Sequence, residues 1–222
     1  MITIVTINLN NKDGLRQTIE SVVNQTYFDQ IEYIIIDGGS TDGSVDVIKE
    51  YEDKISYWVS EPDKGIYNAM NKGVDASNGE YSLYLNSGDY LNSNDIIEKV
   101  YNELDKDIVY GNENKLKPGR ISSYNVSLAK YPDVLEERFF KTTALPHQST
   151  FIKTSLLKEN KYSEDWKLLG DWLFFREMIM VKKVSYKHIP IVISNYGLDG
   201  VSTTMRNIHE AEKKEYYKNI SL

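Results

Sequence analysis

The segment Tyr81-Ser82-Leu83-Tyr84-Leu85-Asn86-Ser87-Gly88-Asp89 joins an apolar, aromatic-rich run to a short polar turn that ends on one carboxylate. Beyond the carboxyl end of a strand in an alternating α/β sheet, such a carboxylate can hold a divalent cation against a substrate diphosphate. Asn, Ser, Gly and Asp are also common turn residues, so this segment alone leaves both readings open. Three more polar clusters follow apolar runs: Asn8 to Asn11, Asp37-Gly38-Gly39-Ser40-Thr41-Asp42, and Ser60-Glu61-Pro62-Asp63-Lys64-Gly65. In the second, two glycines let backbone approach a ligand, and Asp37 can accept hydrogen bonds from a base or ribose. A glycine turn followed by a Ser/Thr helix cap fits the same residues. In the third, Asp63 and Lys64 can meet ribose and phosphate, or stand as solvated turn charges.

Two later residues stand apart. His147 lies in Leu145-Pro146-His147-Gln148-Ser149-Thr150, a polar turn before an apolar run, where a histidine is either structural or a ligand. Asp171 precedes the aromatic stretch Trp172-Leu173-Phe174-Phe175. It reads as an N-cap or as a carboxylate against an apolar wall, where partial desolvation raises the pKa toward that of a general base.

The elements that must position these groups follow from hydrophobic periodicity. Ile2 to Ile7 is a β-rich run that reads as a first strand, and Tyr33 to Ile36 is a near-continuous apolar run, as expected for a strand covered on both faces. Leu15, Ile19, Val22 and Val23 recur at helical spacing. Ser40-Thr41-Asp42 can cap a helix running to about Tyr51. Ile55 to Val59 reads as a third strand, Ile66 to Lys72 as a short helix, and a helix near Asp95 to Leu104 follows the Asn86 strand. Ala69 and Gly73 let the short helix lie close to the sheet. This repeated βα pattern predicts a parallel, doubly wound half. Beyond Asp107, Ile108 to Tyr110 and Thr150 to Ile152 read as strands and Lys117-Pro118-Gly119-Arg120 as a turn. Asn125 to Thr143 reads as loops and short helices, Trp172 to Val181 as helix, Val184 to Ile193 as extended chain, and Ile208 to Tyr217 as a polar terminal helix. With no repeat or linker, the 222 residues read as one domain, 1–106 forming a nucleotide side and 107–222 an acceptor side.

Composition narrows the chemistry. At 41% apolar and 12% aromatic the chain can bury a full core. The 26 basic and 33 acidic residues give a net charge of −7, which argues against broad nucleic-acid binding. An anionic ligand then needs a local cation. Without cysteine there is no thiol catalysis, disulfide or Cys-type zinc site. No run reaches the ~18–20 apolar residues of a membrane span, and the first strand does not read as a signal peptide. A cytoplasmic location is expected. Neither Gly-x-Gly-x-x-Gly nor Gly-x-x-x-x-Gly-Lys-[Ser/Thr] occurs, which disfavours dinucleotide dehydrogenases and P-loop nucleotidases. Gly-x-Ser-x-Gly is also missing, disfavouring an α/β-hydrolase.

The chain resembles glycosyltransferase family 2, the inverting nucleotide-sugar transferases of GT-A fold. The resemblance rests on Ile2 to Asn10, Ser21-Val22-Val23-Asn24-Gln25-Thr26-Tyr27, Ile36 to Asp42, and Asn71-Lys72-Gly73 before Asn78-Gly79-Glu80-Tyr81. It implies an α/β fold with a mostly parallel mixed central sheet. The implied roles are Asp89 as the metal carboxylate for Mg²⁺ or Mn²⁺, Asp171 as the base that activates an acceptor hydroxyl, and His147 as a metal or diphosphate contact. Asn8, Asn10, Asp37, Gly38, Asp63, Lys64 and Asn86 fall in the nucleotide-binding region, and Arg206 is a candidate diphosphate partner. Gly38 stands where relatives carry a second Asp, Asn86 and Gly88 leave the metal motif with one carboxylate, and Leu9 replaces a frequent Tyr. The implied reaction is transfer from a nucleotide sugar, UDP-linked, to a glycan or lipid-linked acceptor in bacterial surface polysaccharide assembly. Peripheral contact at the inner membrane face, through the segment Asn207 to Leu222, and a homodimer stay open. The competing readings are an inactive or weakly active sugar-nucleotide-binding relative, and a sugar-phosphate nucleotidyltransferase. The latter needs a basic, glycine-rich loop where Asn8 to Gly14 offers only Lys12 and one glycine.

Overall fold

The computed structural model describes residues 1–118, 124–197 and 206–220. Strands β1 (Ile2–Asn8), β2 (Ile31–Asp37), β3 (Tyr57–Ser60) and β4 (Tyr81–Tyr84) are parallel, in spatial order β3-β2-β1-β4. Helices α1 (Lys12–Val23), α2 (Ser44–Glu50) and α3 (Ile66–Ala76) connect them. β1, β2 and β4 are buried almost throughout because side chains alternate between two covered faces, whereas the edge strand β3 is only partly covered. Ile2, Ile4, Tyr33 and Ile35 join a cluster with Leu15, Ile19, Val47 and Ile48. Val5, Ile7, Ile34 and Ile36 pack on the other face with Met70, Val74 and the aromatic side chains Trp172 and Phe175.

The second half adds β5 (Tyr90–Leu91), α4 (Ile96–Tyr101), β6 (Ile108–Pro118) and β7 (Tyr124–Ala129). After these come α5 (Glu137–Thr142), β8 (Thr150–Lys153), α6 (Thr154–Glu159), α7 (Gly170–Arg176), β9 (Tyr186–Gly197) and α8 (Arg206–Ile220). β8 runs antiparallel to both β4 and β6, β9 runs parallel to β6, and β5 returns antiparallel to β9. The result is the mixed α/β sheet expected, with its parallel ladder confined largely to the first half.

Three local readings change. The irregular region expected after Tyr110 is instead a long strand that pairs with β7 between Glu113 and Pro118. Tyr124, Val126 and Leu128 do alternate, but all three are exposed. Alternation there marks a solvent-facing ribbon and not a core strand. Gly119 and Arg120 of the expected turn lie outside the described residues. Second, α2 starts at Ser44, because Ser40 is drawn back onto Asp37 while Asp42 Oδ1 accepts the Ser44 N–H at 3.0 Å. Third, α7 passes into a π-helical turn over Glu177–Val181. Among the described residues no helix is long and apolar enough to cross a membrane.

Candidate active site

Polar turns at the carboxyl ends of β1, β2, β3 and β4 meet on one edge of the sheet. Asn8 Nδ2 donates to Asp37 Oδ1 at 2.7 Å and to Ser40 Oγ at 3.1 Å. Asn10 holds the neighbouring loop, its Oδ1 accepting from the Thr41 N–H at 2.9 Å while its own N–H donates to Ser40 Oγ at 2.8 Å. Its φ of +50° lies in the left-handed region that Asn tolerates. Asp37 is fully buried, and Ser40 Oγ, Ser60 Oγ and the Gly39 and Ser40 N–H groups all donate to it besides Asn8. Burial alone would raise its pKa, yet these donors hold the carboxyl below the usual range. With both oxygens saturated, Asp37 cannot be the acceptor for a base or ribose that the sequence suggested. It builds the loop.

Gly38 adjoins a second carboxylate. A Cβ on this residue would stand 2.6 Å from Asp63 Oδ2 and 3.3 Å from Leu9 Cδ1. The half-buried Asp63 carboxylate therefore takes the room a side chain at position 38 would need, beside the exposed Leu9 side chain. Its other oxygen accepts the Gly65 N–H at 2.9 Å. Lys64 is exposed at the start of the turn, its backbone N–H donating to Asn68 Oδ1 at 3.1 Å.

On the β4 side four residues form one hydrogen-bonded row. Asn86 Nδ2 lies 3.0 Å from His147 Nε2, and His147 Nδ1 lies 3.0 Å from Asp171 Oδ2. Asp171 Oδ1 accepts from the Tyr67 hydroxyl at 2.9 Å and from the Trp172 N–H at 2.8 Å. The side chains of His147 and Asp171 each retain 19% exposure, so the row reaches solvent. Burial would lower the His147 pKa, but the Asp171 hydrogen bond and the charges of Asp171, Asp89 and Glu113 leave it raised. Burial would raise Asp171, but His147, Tyr67 and the Trp172 N–H leave it lowered. This reverses the expectation of a desolvated carboxylate with a raised pKa, because the apolar wall behind Asp171 also presents an imidazole and a phenol.

Asp89 follows Gly88, whose φ of +101° suits glycine, and is 7% exposed. Its main chain is pinned by Thr18, whose Oγ1 donates to the Asp89 carbonyl at 2.7 Å, and its Oδ1 accepts the Gly197 N–H at 3.2 Å. The carboxylate thus bridges the ends of β4 and β9. Among the described residues no group of three or more His, Asp and Glu side chains converges as a closed metal cage. One carboxylate still fits a Mg²⁺ or Mn²⁺ ion that draws its remaining ligands from a diphosphate and water. With Nδ1 facing Asp171, Nε2 is the His147 nitrogen left for a ligand, and the Asn86 amide meets it at 3.0 Å. Arg206 begins α8, and its side chain lies outside the described residues.

Sequence reasoning did not find Tyr67, Thr18 or Gly197. Tyr67 sits one residue into α3, buried beside Met70 and Asn71, and nothing in its local spacing distinguishes it from a core tyrosine.

The mixed α/β sheet with polar turns gathered at its strand ends has the GT-A glycosyltransferase fold. The glycosyl transferase family 2 model matches residues 3–157, and the chain belongs to that family. It is 30% identical over 181 residues to an uncharacterized glycosyltransferase of Mycobacterium tuberculosis, covering 81% of this chain and 69% of that protein. It is 26% identical over 231 residues to a PGL/p-HBAD biosynthesis glycosyltransferase of Mycobacterium bovis, covering all of this chain and 84% of that protein. Among solved structures it resembles Staphylococcus aureus TarS in complex with UDP-GlcNAc, with a TM-score of 0.70 and 16% identity over 88% of this chain. The mannosyltransferase PcManGT of Pyrobaculum calidifontis, in complex with GDP-Man and Mn²⁺, gives 0.72 at 15% identity over the whole chain. The chain spans 58% and 64% of the lengths of these two structures.

Proposed function

We propose that the protein is an inverting glycosyltransferase that moves a sugar from a nucleotide diphosphate, a UDP-sugar, to a hydroxyl of a glycan or lipid-linked acceptor in surface polysaccharide assembly. The observation that carries this reading is the row Asn86–His147–Asp171–Tyr67 at the strand ends, beside Asp89. Residues 1–106 serve the nucleotide. Asn8, Asn10 and Asp37 shape its loops, with Gly38 opening the space that Asp63 enters. Asp63 presents a carboxylate to the nucleoside beside Leu9, and Lys64 faces phosphate. Residues 107–222 serve the acceptor.

Asp89 is the residue that would hold Mg²⁺ or Mn²⁺, which when bound offsets charge building on the departing diphosphate. Asp171 takes the acceptor proton as the hydroxyl attacks the anomeric carbon from the face opposite the diphosphate. His147 and Tyr67 fix the direction of its carboxylate and keep it ionised. Attack from that face inverts the anomeric configuration, through a transition state of oxocarbenium character.

The Nδ1-to-carboxylate geometry favours one second reading, in which Asp171 orients the ring and His147 Nε2 takes the proton, as in a Ser-His-Asp triad. The Asn86 amide against Nε2 weighs against it. The test is nucleotide release from UDP-sugars with Mn²⁺, and transfer where an acceptor is found. Asp171→Asn should abolish turnover and leave UDP binding within twofold. His147→Gln should slow turnover without abolishing it. Parental turnover in Asp171→Asn would reject Asp171 as the base, and total loss in His147→Gln with residual activity in Asp171→Asn would install His147 instead.

A further inference from the structure

The chain into Asp171 is held from behind by the C-terminal helix. Glu212, on α8, accepts the Lys167 N–H at 2.7 Å and the Leu168 N–H at 2.9 Å, one on each carboxylate oxygen. These residues lead into Leu169, the N-cap of α7, whose side chain makes no capping hydrogen bond. Further contacts from α8 fall on both sides of Asp171. The Lys213 ammonium lies 4.8 Å from the Trp172 ring centroid, and Arg176 donates to the Tyr216 hydroxyl at 2.8 Å. Trp166 and Trp172 meet the Tyr216 ring edge-on, at 6.4 and 5.4 Å between centroids. The Asp171 carboxylate itself is gripped by His147 and Tyr67.

The α8 contacts therefore hold the chain around Asp171, while Tyr67 and His147 hold its carboxylate. We propose that Glu212 is a positioning residue for glycosyl transfer: by pinning the backbone at Lys167 and Leu168 it sets where α7 begins and so where the Asp171 carboxylate points. The proposal rests on the reading of Asp171 as the base. Among the described residues the Glu212 hydrogen bonds go to Lys167 and Leu168 and not to His147 or the loops assigned to the nucleotide, so its loss should spare donor binding. Misdirecting a reacting group by about an ångström costs on the order of a hundredfold in rate.

The test uses the full chain with Mn²⁺ and UDP-glucose, UDP-N-acetylglucosamine or GDP-mannose, whichever is hydrolysed, so that no acceptor need be known. Glu212→Ala should lower kcat by about ten- to a hundredfold while the donor KM and the Kd for free nucleotide diphosphate stay within twofold. Glu212→Gln, which keeps one accepting oxygen, should fall between it and the parent. A folded Glu212→Ala, or Glu212→Gln where the alanine variant does not fold, with kcat within twofold of the parent overturns the proposal. So does an equal loss in nucleotide affinity, which marks general loosening. Parental turnover in Asp171→Asn sinks the base reading and this proposal together, whereas an inactive Asp171→Asn beside a fully active Glu212→Ala sinks this proposal alone.

Discussion

Asp171 and His147 share one hydrogen bond, and its two ends respond to pH in opposite senses. His147 has a raised pKa in the folded chain, so its contribution to stability is fully present below the unfolded value of about 6.5. That contribution is lost as pH rises through the higher folded value. Asp171 has a lowered pKa, so its contribution is present above the unfolded value of about 3.9 and lost as pH falls through the lower folded value. The pair stabilises most between those two unfolded values. Replacing His147 by Gln should therefore lower Tm most near pH 5–6, and the gap between variant and parent should narrow as pH rises toward 9. Thermal melts across that range check it, and a gap that widens with pH would show that the ring is held neutral. The residue scale also shows where sequence misleads. Asp37 and Asp63 look alike in a string of turn residues, yet one carboxylate is saturated by its own loop together with Asn8 and Ser60, and the other fills the space left by Gly38. Composition cannot tell a carboxylate aimed inward from one aimed at a ligand.

At the scale of elements, α3 does two things: it carries Tyr67 to Asp171 and it closes the β1 face. The second depends on Gly73. A Cβ there would stand 2.5 Å from Val5 Cγ1, on a fully buried strand side chain. In an exposed helix, Gly→Ala stabilises by about 0.5–1 kcal/mol. Here the sign reverses, because the added methyl must push α3 away from β1, and overpacking of that kind costs about 1–3 kcal/mol. Gly73→Ala should lower Tm by several degrees, at roughly 2–4 °C per kcal/mol for a chain of this size. It should also slow turnover by shifting Tyr67, which can be measured in the same preparation; an unchanged or raised Tm would contradict the close approach. The parallel strands and α3 were legible because both-face burial leaves continuous apolar runs, and helix-to-sheet contact leaves small residues. β7 was not, since its alternating side chains face solvent and carry no record of the partner strand. The pairing of His147 with Asp171, 24 residues on, and of Tyr67 with Asp171, 104 residues on, is set by packing of whole elements. No local pattern encodes it.

Across the whole molecule, Asp89 sits where the two halves of the sheet meet. It ends the β4 turn of the first half, is braced by Thr18 of α1, and accepts from Gly197 at the end of β9. A ligand that engages Asp89 thus ties the parallel ladder to the strands added after residue 107, and binding should appear as stability of the entire chain. For a ligand bound only by the folded state, a concentration a hundred times Kd adds about 2.7 kcal/mol. That corresponds to a rise in Tm of roughly 5–10 °C at this length. UDP with Mn²⁺ should produce a rise of that order, UDP alone a smaller one, and Mn²⁺ alone little. Asp89→Asn keeps the size of the side chain and an oxygen for the Gly197 N–H but removes the charge. It should erase the increment due to Mn²⁺ and preserve most of the increment due to UDP, because the nucleoside contacts proposed for Asp63 lie on another loop. Comparing GDP with UDP in the same melts ranks the two nucleobases. An Asp89→Asn variant with its full Mn²⁺ increment would remove the metal from Asp89, and one that loses the UDP increment as well would mean that the carboxylate organises the fold of the cleft instead of holding a cation within it.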